Sequence, residues 1–425
     1  YYEIYLPEKR KFFNEIESLF NTPIELLYSR RIGAGKESQY NHRINSACKI
    51  KSNFKSGIQY AFLFANTGDN DKAFNLLDNS GINYSAFRVS QNYNILNLPT
   101  YIGLTTLKFS DEEVLEYYSL DKSLYAFNDN LILDYQYVSQ KARDFYEYGH
   151  YLNLSYYSHI PFFFNLTGEY YSENLDLNKM GFLYRNNIRK FDINIGFKKT
   201  TQTFKFIRKL KFDIYKKTDY NLKELKIKDD IGATLNLHFL NYNNLIIGSF
   251  IKNESYDDYY MFDYELQTLG PAFLRPKINQ IFFNFNTDYS SNNILNLGLE
   301  LDESSNGDHL IDSKIKFTSK LSSRHMIKLS YKNTMLNNKY HFLESVINDI
   351  NPSTQDSLEY IFSNSDGWEK RYGIKYEQYF TNKLSLQLYS EYFQRSMKYD
   401  NYTLWKENER WPISSTFITG GTNPN

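Results

Sequence analysis

The densest chemistry near the start of the chain is the charged run Glu8, Lys9 and Arg10, followed by the basic pair Arg30 and Arg31. An arginine fork matches the two oxygens of a carboxylate or a phosphate. These five residues therefore support two readings. They could line an interior channel, where they gate passage or bind an anionic solute or glycan. They could equally form a structural ion-pair network that pins the start of the chain, and this second reading, which needs no ligand, is the default.

Other reactive side chains are scattered. The seven histidines, among them His42, His150 and His238, form no i, i+4 pair and no grouping with the single cysteine, Cys48. No zinc site is expected from such spacing. One cysteine excludes an internal disulfide framework, and Cys48 reads as a small buried or lipid-facing residue. The acidic stretch Asp302-Glu-Ser-Ser-Asn-Gly-Asp308 lacks the closing bidentate glutamate of a calcium loop, so it reads as a solvated loop. Glycoside hydrolysis needs two carboxylates about 5 to 10 Å apart, and no pair is singled out. The chain has no GxSxG elbow, Walker loop or dinucleotide fingerprint. The expectation is no catalytic residue, no metal and no cofactor.

Two further motifs read as backbone devices. Arg185, Asn186 and Asn187 suit a turn, with solute coordination as the alternative. Gly270 and Pro271, followed by Arg275 and Pro276, suit a loop leading into a strand, since proline cannot sit in a central ladder.

The elements that would position these groups emerge from composition. Tyrosines number 40 and phenylalanines 33 against 3 tryptophans, yet mean hydropathy is -0.59. A soluble core draws on Leu, Val, Ile and Ala, whereas the strand faces and girdles of a membrane barrel favour aromatics. The 49 basic and 49 acidic residues cancel, leaving no general field to gather nucleic acid. No apolar run approaches the roughly 18 residues of a membrane helix. A closed barrel remains compatible, because it too satisfies every backbone group in hydrocarbon.

Period-two alternation recurs from about residue 44 onward. Leu295, Leu297, Leu299 and Leu301 share one face, with Asn296, Gly298, Glu300 and Asp302 on the other. Ile231 to Phe239, Phe191 to Phe197, Ile281 to Phe285, Ile327 to Tyr331 and Leu384 to Leu388 repeat the pattern. Turn-forming clusters lie at Thr67 to Asp71, Ser290 to Asn293 and Asp302 to Asp308. The spacing fits about 18 to 22 strands. A soluble β-sandwich, propeller or solenoid is the competing architecture, but no clean internal repeat supports it.

Residues 1–43 lack this alternation and carry Pro7, Pro23 and the charge cluster. They read as an irregular lead-in tucked into the mouth or lumen of a barrel formed by residues 44–425. The first residue, Tyr1, begins in mid-pattern, and the chain finishes on Gly420 to Asn425, which reads as a loop. The expectation is a fragment whose export signal lay upstream.

Several segments resemble a known family. These are Leu6-Pro-Glu-Lys-Arg-Lys-Phe-Phe13 with Asn21-Thr-Pro-Ile-Glu-Leu-Leu-Tyr-Ser-Arg-Arg-Ile-Gly33, then Asn83 to Val89, Tyr101 to Leu104, Met180 to Asn187, Gly270 to Pro276, and Thr287-Asp288. In this order they resemble the bacterial outer-membrane family catalogued as domain of unknown function 5916, over nearly the whole chain. Asn14 to Glu17 departs from the family's leucine, glutamate and glycine pattern. The resemblance implies a barrel in the outer membrane of a Gram-negative host. It also implies a link to carbohydrate through a family-9-like binding module that usually lies upstream.

The resulting expectation is an all-β protein, a large antiparallel transmembrane β-barrel of the bacterial outer membrane, serving solute passage or carbohydrate-related uptake or display. Its partners would be outer-membrane lipid and lipopolysaccharide, the barrel assembly machinery and glycans, and no nucleic acid. An outer-membrane glycan hydrolase and a surface-binding or adhesion module are the alternatives.

Overall fold

In a computed structural model of the chain, the described residues are 5–33, 43–68, 81–111, 114–142, 145–157, 161–202, 204–258, 262–263, 268–269, 272–348, 357–381 and 383–405. They form an all-β protein. The main sheet has 18 strands among these residues, and neighbouring strands along it, such as β1 and β2 or β20 and β21, pair antiparallel. No described helix is long and apolar enough to cross a membrane. The chain divides into two compact units, residues 1–193 with 219–225, and residues 194–218 with 226–425.

The first unit opens with a short helix α1 (Lys11–Glu17) and a 3-10 turn at Ser29–Arg31. The helix falls on the Asn14 to Glu17 stretch and buries Phe13 and Ile16. Strands β1 (Arg43–Asn53), β2 (Ile58–Gly68), β3 (Asn83–Ile95), β4 (Leu98–Ser110), β5 (Val114–Ala126), β6 (Leu131–Ala142), β7 (Phe145–Tyr157) and β8 (Phe162–Tyr171) follow, each paired with the next. A long connection then leads to β9 (Ile188–Lys199), whose first half belongs to this unit.

Alternation decides the two faces of these strands. In β3, Tyr84, Ala86, Arg88 and Ser90 are buried while Phe87 is exposed; in β5, Leu115, Tyr117, Ser119 and Asp121 are buried while Tyr118 and Leu120 are exposed. The covered face packs beneath the lead-in, whose Phe20, Ile24, Leu26, Leu27 and Ile32 are buried. Each such side chain contributes about 1.5 to 3 kcal/mol by leaving water. The opposite face holds apolar side chains in the open, with Leu104 51 % exposed.

The second unit contains β10 (Ile207–Tyr220), β11 (Lys226–Phe239) and β12 (Asn244–Lys252), then four short strands, β13 (Ser255–Asp257), β14 (Phe262–Asp263), β15 (Thr268–Leu269) and β16 (Phe273–Arg275). The last two named pairs form hairpins, β13 with β16 and β14 with β15. The ladder resumes with β17 (Ile278–Asn286), β18 (Asn293–Ser304), β19 (His309–Ser322), β20 (His325–Asn348), β21 (Ser357–Thr381) and β22 (Leu384–Trp405). Every alternating run singled out in the sequence lies in one of these strands or in β9.

Here too the apolar face is exposed. Ile231, Ile247, Ile281, Phe283, Leu299, Leu301, Ile315, Leu329 and Ile374 are all open to the surroundings. Register aligns them: Ile247 opposite Phe283, Phe283 opposite Leu299, and Leu329 opposite Ile374. On the other face Tyr215, Phe250 and Phe282 form a row of rings 5.4 and 5.1 Å apart. Gly248 leaves space for that row, since a Cβ there would lie 2.2 Å from Phe282.

The turn clusters serve in part as expected where they are described. Asp288 accepts from the backbone and hydroxyl of Ser290, whereas of Asp302 to Asp308 only Ser305 to Asp308 turns, with Gly307 at φ 90°, because Asp302, Glu303 and Ser304 extend β18 and pair in its ladder. Of Thr67 to Asp71, only Thr67 and Gly68 are described, at the end of β2. Of the two readings of Cys48, the buried one is excluded, since the residue is exposed on β1.

Candidate functional site

The charge cluster at the start of the chain is organised around Glu8. Its Oε1 accepts from the backbone N–H of Lys9 and Arg10 at 2.9 and 2.8 Å. The Arg10 fork reaches both oxygens at 3.0 and 2.8 Å, and Ser29 Oγ donates to Oε2 at 2.7 Å. Arg10 donates further to the carbonyls of Ile32 and Ser29, 2.8 and 2.7 Å away, and lies over the Phe13 ring. One ion pair thus ties the segment before α1 to the 3-10 turn. Burial opposes ionisation of Glu8, but the bonds from Arg10 and Ser29 outweigh it and hold its pKa near about 2.

The other residues of the cluster have separate jobs. Arg30 donates to the Pro7 carbonyl at 3.1 Å, and the Lys9 side chain is exposed. Arg31 turns toward the connection between β8 and β9, donating to Gly181 O and Asn178 Oδ1, each at 3.2 Å. Nearby carboxyls behave oppositely to Glu8. Burial is the largest influence on Glu17 and Glu25, and both are shifted upward, Glu25 despite a bond from Tyr5 at 3.2 Å. Burial and the Glu25 carboxylate push Tyr5 up to about 12.

The β8–β9 connection docks onto the lead-in. Phe182 N donates to Glu25 O at 2.9 Å and Tyr28 N to Met180 O at 2.7 Å, a bridge across more than a hundred residues of sequence. Leu175, Leu177 and Met180 are buried beside it. Gly181 permits the approach, because a Cβ there would fall 2.3 Å from Glu25 O. Asn186 donates to Leu175 O, and Asn187, at φ 50°, accepts from Leu222 N at 3.1 Å. Arg185, Asn186 and Asn187 thus sit at the end of this docked connection.

Beneath the lead-in the sheet is polar. Arg88 and Asp121 form a two-point ion pair at 2.8 and 2.7 Å, only 2 % and 5 % exposed, and Thr105 and Tyr101 also accept from the guanidinium. Gly103 lies under the pair, where a Cβ would be 2.5 Å from Arg88 Nη2. Asp134 accepts from Ser123 at 2.6 Å, and Asn165 donates to Asn153 at 2.8 Å, which extends the network along the same face. Sequence reasoning missed this network. Arg88 lies in a family-like segment, but only cross-strand register reveals its partner.

Glu8 and Asp121, the most deeply held acids here, are each committed to an arginine, which does not suit them to act as an acid and base pair. Among the described residues no group of three potential metal ligands is gathered. In the second unit Arg275 pairs with Asp257 at 3.5 Å and donates to Ser255 Oγ and Ile227 O, fastening the β13–β16 hairpin to β11. Pro276 sits just before β17. Gly270 and Pro271 lie outside the described residues, as does His42.

Residues 1–61 and 118–418 match the family model described as Domain of unknown function (DUF5916). Among curated proteins, none matches the chain in sequence.

Proposed function

The chain belongs to the DUF5916 family, and from that premise we propose that its sheet is the wall of an outer-membrane β-barrel that passes a solute through a polar lumen. The observation that carries this reading is the inverted distribution of side chains: leucine, isoleucine and phenylalanine stand exposed along register-matched rows, while arginine, aspartate and glutamine are buried or paired on the opposite face. Exposed apolar area on this scale marks a membrane or a partner surface in a water-soluble fold, and lipid is the partner that accepts it on strand after strand. Strands such as β11, β12, β17 and β18, at 14, 9, 9 and 12 residues, suit a bilayer crossing, which takes about 9 to 11 residues.

In this reading lipid and lipopolysaccharide contact the apolar face, and the barrel assembly machinery inserts the chain. The lead-in and the β8–β9 connection form a plug against the lumen wall. The exposed rings Tyr146 and Phe162 lie at strand ends on the outward face, as a girdle requires. A carbohydrate-related solute is the cargo that the family's upstream module suggests. A glycan hydrolase and an adhesion module lack comparable support among the described residues, since the buried carboxylates are committed to ion pairs, Glu8 and Asp121 to arginines and Asp213, Asp229 and Glu377 to lysines.

Planar-bilayer recording tests the reading. Purified, refolded chain should give discrete conductance steps that enlarge when residues 5–33 are deleted. Persistent silence from both forms, in protein verified as inserted, contradicts solute passage.

A further inference from the structure

On the charged face of the second unit, strand register sets cations side by side. Lys314 of β19 lies opposite Lys332 of β20, which lies opposite Arg371 of β21. Neighbouring backbones in a sheet are about 4.8 Å apart, and like charges directly opposite one another destabilise the pairing. Four residues along, about 13 Å away by strand rise, Lys328 lies opposite Lys375, a second like-charge pair. Folding alone gives no reason for two such rows.

Between the rows the side chains shrink. Ser330 pairs with Gly373, and a Cβ on Gly373 would meet Ser330 Oγ at 2.4 Å, so the floor is as low as the sheet allows. The result is a depression of about 340 Å³ with basic walls. Lys316, opposite Ser330, lies at one side and Glu391, opposite Gly373, at the other.

Local acids neutralise only part of this charge. Asp312 pairs with Lys332 at 2.8 Å and Glu369 with Arg371 at 2.7 Å, while Glu377 is shared between Lys328 and Lys375 at 3.2 and 2.6 Å. Lys314 and Lys316 are exposed and make no ion pair with a described carboxylate. Six cations therefore line the depression against four nearby acids, counting Glu391.

We infer that this depression binds a multiply charged oxyanion, either phosphate or sulfate groups, with Lys314 and Lys316 as its free cations and Ser330 as a hydroxyl donor on the floor. A tetrahedral group on the Ser330–Gly373 floor has cations on both flanks, and a second group along the strand direction meets the next row. The inference rests on register within one unit and does not depend on the membrane reading.

The test is calorimetric titration of the full detergent-solubilised chain at low salt with two probes, inorganic tripolyphosphate and a sulfated disaccharide. At least one should bind, with affinity that falls as salt rises. The K314A/K316A double variant should bind about tenfold or more weakly, and S330E should abolish binding, while K314R/K316R retains it. Binding of tripolyphosphate alone assigns a phosphate ligand, and binding of the disaccharide assigns an anionic glycan. Because Lys314 and Lys316 are exposed, the circular-dichroism spectrum and thermal transition of each variant should match wild type and certify folding. Absence of binding by both probes, or equal affinity in folded K314A/K316A, overturns the inference. Either result leaves the conductance experiment to be judged separately.

Discussion

Gln136 of β6 holds the backbone of Ile24 with both ends of its amide: Oε1 accepts from Ile24 N–H at 2.6 Å, and Nε2 donates to Ile24 O at 3.2 Å. The side chain is fully buried, and Nε2 also reaches Ser119 Oγ at 3.0 Å. A lead-in segment with no strand of its own is thereby attached to the sheet as if it were a short strand.

Replacing Gln136 by leucine leaves the Ile24 N–H buried without a partner, while the Ile24 carbonyl keeps the Thr22 hydroxyl at 2.6 Å. An unsatisfied buried donor costs about 1 to 3 kcal/mol, so Q136L should loosen the lead-in by about that much. Hydrogen exchange at residues 20–32 should rise about tenfold or more while the ladder from β3 to β5 stays protected. Unchanged protection at Ile24 in the variant would show that the clamp is incidental.

The ion pair around Glu8 gives a signed pH dependence. Its folded pKa, about 2, lies below the ordinary 4.5, so its contribution is complete above 4.5 and is lost as pH falls from there through 2. Glu17 and Glu25 are shifted upward, so their contribution is present below 4.5 and fades as pH rises through their raised values. Docking of the lead-in should therefore peak in mild acid. E8Q should remove the acid limb and cost about 1.5 to 3 kcal/mol at neutral pH, whereas E25Q should strengthen docking there. Limited proteolysis of residues 5–33 across pH checks both, and a monotonic profile in wild type counts against the assignment.

The β3–β4 hairpin has a two-residue turn in which Leu96 and Asn97 take φ 50° and 65°. Such turns favour Asn and Gly, and a left-handed conformation costs most L-residues about 1 to 2 kcal/mol. Leu96 is also 90 % exposed and packs on nothing. L96N should raise stability in chemical denaturation by about 0.5 to 1 kcal/mol, and a loss of stability would contradict the turn geometry.

The two faces of β18 should respond oppositely to charge. L299K places an ammonium on the apolar side and should cost about 2 to 4 kcal/mol in a lipid-refolded protein. N296E, on the charged side of the same strand and opposite Lys316, should be near neutral. Equal tolerance at the two positions argues against lipid on the leucine face.

Much of the fold was legible because period-two alternation is a local signal. Leu295 to Leu301 reads as a two-faced strand without knowledge of its partner, and β18 is that strand. Helix α1 was not legible, since Lys11 to Glu17 is too short to establish a period, and it was read as irregular chain. The charge cluster was visible, but the partners of Glu8 and Arg10 were not: Ser29, which donates to Glu8, and the Ile32 carbonyl, which accepts from Arg10, come close only after the segment folds back. Gln136, the Gly181 contact and the Lys314–Lys332–Arg371 row depend on long-range register, where one glutamine or lysine among many carries no distinguishing mark.

Spin labels placed in turn at residues 295 to 302 of β18, in protein reconstituted in liposomes, test the account most directly through their exposure to oxygen, which concentrates in lipid, and to a water-soluble nickel chelate. The account predicts strict alternation, with labels at Leu295, Leu297, Leu299 and Leu301 reached by oxygen and those at Asn296, Gly298, Glu300 and Asp302 reached by nickel. Equal nickel exposure at all eight positions, or leucine positions shielded from both reagents, would contradict it.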